Sequence, residues 1–208
     1  MKNLAKKIGC LMLSLQSALL FAAPKGANQP DAMYCLVCHG SNAQGSEVIG
    51  GPNLSILPDW YLRGQLAGFQ HGWRGKHEAD SYSTEMQMIA RSMSEQDIEL
   101  AINFIKSLPA KQAQPMLSGN TEHGKQLYQS CAACHGTNGQ LGDEFFVPLA
   151  GMPVNQFVKT MKDFKEGRRP ATLMGHVANG FTDADLKQMA EFFAAVPPLK
   201  TTIKGDKP

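Results

Sequence analysis

The chain is 208 residues long, with 20 Lys plus Arg against 18 Asp plus Glu, a formal net charge of +2, five cysteines and 11 methionines. A balance this close to neutral, with no cluster of basic and aromatic side chains, argues against nucleic acid as a partner. Beyond the first two dozen residues no stretch is long and apolar enough to cross a bilayer, so the remainder is expected to be soluble.

Met1 to about Ala23 reads as an export signal: Lys2, Lys6 and Lys7 make the positive start, Ile8 to Phe21 is largely apolar, and Leu20-Phe21-Ala22-Ala23 is a plausible cleavage region. An apolar run of about fourteen residues falls short of the roughly 20 that a spanning helix needs. The mature chain is therefore expected in the periplasm, with Cys10 discarded in the signal.

Next come Cys35-Leu-Val-Cys38-His39 and, 96 residues later, Cys131-Ala-Ala-Cys134-His135. Two cysteines spaced by two residues put both thiols on one turn of backbone, where they can add to the two vinyl groups of a haem, and the next residue offers an imidazole to the iron. Zinc-binding pairs usually lie roughly 15 to 20 residues apart, and a thioredoxin-like pair would sit in a βαβ pattern that is absent here. Each string is thus a haem c attachment signal, with Cys35, Cys38, Cys131 and Cys134 holding two haems and His39 and His135 facing the irons. Two domains of about 90 residues would bury little surface on their own, and the covalently held macrocycle supplies the missing core.

The two strings belong to a longer repeat. Phe69-x-x-Gly72 recurs 95 residues on as Phe164-x-x-Gly167, and Met86-Gln-Met-Ile-Ala recurs 88 residues on as Met174-Gly-His-Val-Ala. The falling offset places about seven extra residues between Gly72 and Met86, around Trp73, Lys76, His77 and Tyr82, predicting a loop insertion in the first copy. Ser94-Glu-Gln-Asp97 and Thr182-Asp-Ala-Asp185 resemble capping boxes. Ile98, Ala101, Ile102 and Ile105, and Leu186, Met189, Ala190 and Phe193, follow at helical spacing. Trp60 to Phe69, Thr121 to Ser130 and Asn155 to Phe164 are further helical candidates. Residues 110–120, flanked by Pro109 and carrying Pro115 and Gly119, read as a linker between domains at 24–109 and 121–208. Residues 24–109 hold six basic against nine acidic side chains and residues 110–208 hold eleven against nine, so the halves differ in sign.

Two fused units, each with CxxCH, a Pro-containing loop, Phe-x-x-Gly and Met-x-x-hydrophobic-Ala before a capped last helix, resemble the dihaem cytochrome c4 family. The resemblance implies an all-α fold: a tandem pair of class I cytochrome c-like haem domains related by a pseudo-two-fold axis. It also implies that Gly124 lets the first helix of the second domain cross the last one, with Tyr128 and Phe192 at the crossing. Asn28 and Ala32 occupy those places in the first copy, where Pro30 shortens the lead-in. By the same resemblance, carbonyls at Pro52 and Pro148 would orient the ligating imidazoles. Arg74 and Arg169 follow the Phe-x-x-Gly strings and read either as facing haem propionates or as ordinary exposed arginines.

Methionine as sixth ligand raises the haem potential and suits electron transfer. Met86, Met88 and Met93 compete in the first copy, and Met152, Met161, Met174 and Met189 in the second. Alignment on Ser94 and Thr182 selects Met86 and Met174, each eight residues earlier. His71, His77, His123 and His176 do not repeat and read as surface histidines. With both axial positions filled, catalysis at haem is not expected. The expected function is a periplasmic shuttle carrying electrons from a quinol-oxidising complex or a dehydrogenase to a terminal oxidase, with redox-protein partners, some of them membrane-bound, and no small-molecule substrate. The alternatives are a cytochrome subunit of a periplasmic dehydrogenase such as a flavocytochrome, and a haem peroxidase, which would need an open or displaceable axial ligand.

Overall fold

The computed structural model describes residues 32–77, 80–112, 120–140 and 145–199; the expected signal, with Cys10, and the positions of Asn28 and Pro30 lie outside them. The described residues form α1 (Cys35–His39), α2 (Asp59–Gln70), α3 (Ser81–Ser92), α4 (Glu95–Ser107), α5 (Thr121–Tyr128), α6 (Ala132–His135), α7 (Val154–Lys165), α8 (Thr172–Asn179) and α9 (Asp183–Ala195). Their β pairing is a single bridge, Ser46 to Gly51.

Both expected capping boxes form. In α4 the Asp97 N–H donates to Ser94 Oγ at 3.2 Å and the Ser94 N–H to Asp97 Oδ2 at 2.9 Å; Thr182 and Asp185 repeat both bonds at the start of α9. Two otherwise unsatisfied donors are thereby paired at each helix start. The inward faces are those given by the spacing: Ile98, Ala101, Ile102 and Ile105 are buried, as are Leu186, Met189, Ala190 and Phe193.

Gly124 marks the crossing of α5 over α9. A Cβ there would lie 2.7 Å from the Gln188 carbonyl carbon and 3.1 Å from Phe192 Cβ, so only hydrogen fits. Tyr128 lies 5.8 Å from Phe192 and packs edge-on to Phe193 at 5.0 Å. Phe193, fully buried and also against Phe157, is the wider hub. In the first domain the last helix packs instead on the 3-10 turn Ala32–Tyr34.

Two helices, α3 and α8, were not expected from sequence. Polar side chains dominate the start of α3, and α8 lacks a side-chain cap and contains Gly175, so neither announces itself by pattern. With Met86 aligned on Met174, α3 begins three residues earlier than α8. The insertion is therefore not all loop: Ser81–Ser83 extend α3, and Asp80 caps it by accepting from the Ser83 N–H at 3.1 Å.

That extension meets the other domain. Lys159 of α7 donates to Asp80 Oδ2 at 2.6 Å and to Ser83 Oγ at 3.3 Å. Glu47 of the first domain accepts from the Val154 N–H at 2.5 Å and the Asn155 N–H at 3.2 Å. Its carboxylate thus caps α7, whose own N-cap, Pro153, offers no side-chain acceptor. Asn53, fully buried, donates through Nδ2 to the carbonyls of Lys111 (2.8 Å) and Gly151 (3.0 Å), accepts from Ser55, and its N–H donates to Gln156 Oε1 at 2.7 Å. One asparagine joins the first domain, the linker and the second domain.

Candidate functional site

The CxxCH strings occupy α1 and the turn into α6, where helical backbone brings each pair of thiols to one side of a turn. All four cysteines are free; Cys38 is exposed and the others are half-buried. His39 is buried, and its Nδ1 lies 2.9 Å from the Pro52 carbonyl. His135 Nδ1 lies 2.9 Å from the Val147 carbonyl. A carbonyl can only accept, so Nδ1–H donates in each ring and the Nε2 lone pair remains for a metal. Burial pushes the His39 imidazole below its ordinary pKa, against the opposing pull of the Pro52 bond, which favours the neutral, ligating form. A pair of thiols beside an imidazole with a free Nε2 is the donor set that haem c requires.

The second carbonyl differs from expectation: Val147, not Pro148, holds His135. The reason is a one-residue difference in loop length. Leu54 N–H and Ser55 N–H donate to the Ala43 carbonyl, while Leu149 N–H and Ala150 N–H donate to that of Gly139. Ala43 and Gly139 are therefore equivalent, both at positive φ (54° and 72°). Counting back from Leu54 and Leu149, which bond to them, Val147 matches Pro52 and Pro148 matches Asn53. Gly51 also escaped sequence reasoning: a Cβ there would sit 2.7 Å from the Cys38 carbonyl carbon, so the loop passes hard against the attachment turn.

Tyr128 anchors the second attachment loop. Its phenol donates to the Gly136 carbonyl and accepts from the Gly139 N–H at 2.9 Å. Burial pushes its pKa up to about 12.

Met86 on α3 and Met174 on α8 are both half-buried, and the alanines four residues on, Ala90 and Ala178, are fully buried. Met88 is 64% exposed, whereas Met93, Met152, Met161 and Met189 are buried among core side chains. His71, His77, His123 and His176 are exposed.

Arg169 is buried and Arg74 is half-buried. Arg74 stands over the Phe69 ring at 4.3 Å and donates to Gln65 Oε1 at 2.7 Å. Arg169, 7% exposed, stands over Phe164 at 4.7 Å and donates across the domain boundary to the Tyr61 phenol. Burial, reinforced by repulsion from Arg169, pushes Arg74 down to about 10.

The family model for cytochrome c matches residues 23–109 and again residues 121–196. The chain belongs to the cytochrome c family. It carries two such domains, and their CxxCH strings imply two covalent haems c. Two curated relatives match over nearly their whole length, both named thiosulfate dehydrogenase electron acceptor. The one from Stutzerimonas stutzeri is 28% identical over 93% of this chain and 94% of its own, and the one from Thiomonas intermedia is 30% identical over 95% of each. Thiosulfate dehydrogenase from Marichromatium purpuratum superposes with a TM-score of 0.70 at 27% identity, covering 81% of this chain and 38% of that one. Cytochrome c4 from Acidithiobacillus ferrooxidans superposes with a TM-score of 0.69 at 24% identity over 80% of this chain and all of the other. The fold is that of the dihaem cytochromes c4, and electron transfer is the function. Bound haem supplies one-electron Fe(III)/Fe(II) chemistry; the chain orients the imidazoles through Pro52 and Val147 and fixes the attachment loops. Among the described residues no helix is long and apolar enough to cross a membrane.

Proposed function

We propose that this dihaem cytochrome accepts electrons in the periplasm from a dehydrogenase that oxidises a small sulfur oxyanion of the thiosulfate type, and passes them to a terminal oxidase. Supporting the choice of donor is the naming of both near-full-length relatives as acceptors for thiosulfate dehydrogenase. Supporting a carrier rather than a peroxidase is the pair Met86 and Met174, which we assign as sixth ligands opposite His39 and His135. They share a register set by Ala90 and Ala178, and a thioether at the sixth position leaves the iron no open site. The test is stopped-flow mixing of the oxidised protein with a thiosulfate dehydrogenase and its substrate. Reduction of both haems at a rate that rises with dehydrogenase concentration is expected. Reduction no faster than by thiosulfate alone would reject the donor while leaving the electron-transfer function intact.

A further inference from the structure

The carbonyl that orients His39 and the carbonyl that orients His135 belong to chemically different peptide groups. Pro52 O accepts from His39 Nδ1–H at 2.9 Å, and the nitrogen of that same peptide group, that of Asn53, carries a proton. This N–H donates at 2.7 Å to Oε1 of Gln156 on α7, in the other domain. One peptide plane therefore carries a hydrogen-bond chain from Gln156 across the domain boundary to the imidazole of the first attachment motif. In the second domain the corresponding peptide is Val147–Pro148, whose nitrogen belongs to proline and has no proton to donate. No such chain can be built through it to His135.

The surroundings hold the chain in place. Asn53 is fully buried, and a Cβ at Gly45 would lie 2.8 Å from the Asn53 nitrogen and 2.9 Å from Pro153 Cγ, so the space beside this N–H is already filled. Glu47 fixes the start of α7 by accepting from the Val154 and Asn155 N–H groups, immediately before Gln156. An amide that donates through its N–H gains negative charge at its oxygen, so the two bonds of the chain strengthen each other. A stronger acceptor on Nδ1–H makes an imidazole a more basic ligand, and a more basic ligand favours ferric over ferrous iron.

We propose that Gln156 is a positioning residue for the haem of the other domain: through the Pro52–Asn53 peptide it holds and polarises His39, and so lowers the electron affinity of the first haem while leaving the second untouched. The two attachment sites are alike in CxxCH and differ by a proline at one loop position, so only the first answers to the domain interface through this route. The proposal rests on the two covalent haems and not on which dehydrogenase donates.

Potentiometric titration of the intact dihaem protein tests it, together with the Nδ1–H proton resonance of each ligating histidine in the reduced protein carrying isotopically labelled histidine. Gln156→Leu removes the acceptor and keeps a good helix former. In that variant the reduction equilibrium constant of the first haem is expected to rise about threefold, about 28 mV at about 59 mV per tenfold for a one-electron couple. The His39 resonance should move upfield as its hydrogen bond weakens, with the His135 resonance and the second potential unchanged. Gln156→Glu at pH 8, where the carboxylate is ionised, keeps an acceptor oxygen and should leave the first constant at or below the parent value. If Gln156→Leu fails to assemble, Asn53→Pro compared with Asn53→Ala tests the same N–H. Both variants lose the side-chain bonds to Lys111 and Gly151, and only proline also loses the N–H, so the proline variant should have the higher first constant. A merely structural Gln156 would leave the His39 resonance at its parent position, and that result would overturn the proposal. So would an unchanged first constant, or equal shifts at both haems.

Discussion

Gly124→Ala separates two physical effects that have opposite signs. Alanine is the better helix former by about 1 kcal/mol, so propensity alone predicts a gain in stability. Position 124, however, lies where α5 crosses α9, and the added methyl would stand 2.7 Å from the Gln188 carbonyl carbon and closer still to its oxygen. Backbone cannot turn aside as a side chain can, so the helices must part by about an ångström, an overpacking cost of roughly 1–3 kcal/mol. Parting them also strains Tyr128, which packs on Phe192 and Phe193 and ties the attachment loop through Gly136 and Gly139. Losing one of those hydrogen bonds adds about 1 kcal/mol. The expected balance is a destabilisation of roughly 1–3 kcal/mol, read from the urea midpoint of the oxidised protein at unchanged m value. A variant as stable as the parent, or about 1 kcal/mol more stable, would refute the reasoning and mean that the crossing tolerates a methyl group.

Asn53→Ala should lower stability by roughly 1–3 kcal/mol, since it strands the buried Gly151 carbonyl and leaves that of Lys111 only the Ser55 hydroxyl; limited proteolysis should then cut the linker near Lys111 faster. Removing the cross-domain cap of α7 by Glu47→Ala should cost about 1 kcal/mol, measured by the same denaturation. Burial pushes the Asp80 carboxyl up, but hydrogen bonds from Lys159 and Ser83 outweigh it and hold the group below its ordinary range. Its contribution is therefore present above about pH 4 and lost as pH falls through the depressed value, so parent and Asp80→Asn should differ in stability at pH 7 and converge in acid. Met86→Ala and Met174→Ala should each lower the potential of one haem, because loss of the thioether favours ferric iron; two unchanged potentials would return Met88 or a histidine to consideration. Glu95 is exposed on the acidic half, and Glu95→Lys should slow exchange with one redox partner more than with the other, an effect that fades with salt.

Local chemistry made much of this protein legible from sequence. CxxCH is a covalent requirement and survives any fold; capping boxes and apolar spacing depend on neighbours three and four residues away, so α4 and α9 could be read directly. The Gly124 crossing came from resemblance, and the structure supplies its reason in the Gln188 carbonyl. Tertiary structure decided what depends on loop length and on contacts distant in the chain. Val147 rather than Pro148 holds His135 because the second loop is one residue shorter, and that follows from where Ala43 and Gly139 anchor the two loops. Helices α3 and α8 form although their local patterns are weak, since Ala90 and Ala178 are buried against the rest of their domains. The cross-domain bonds of Asn53, Glu47 and Asp80 carry no local signature, because those partners lie 58 to 108 residues away. The same holds for Arg169, which in sequence is an ordinary arginine after a repeated string; only packing the two copies together buries it against Tyr61 of the first domain.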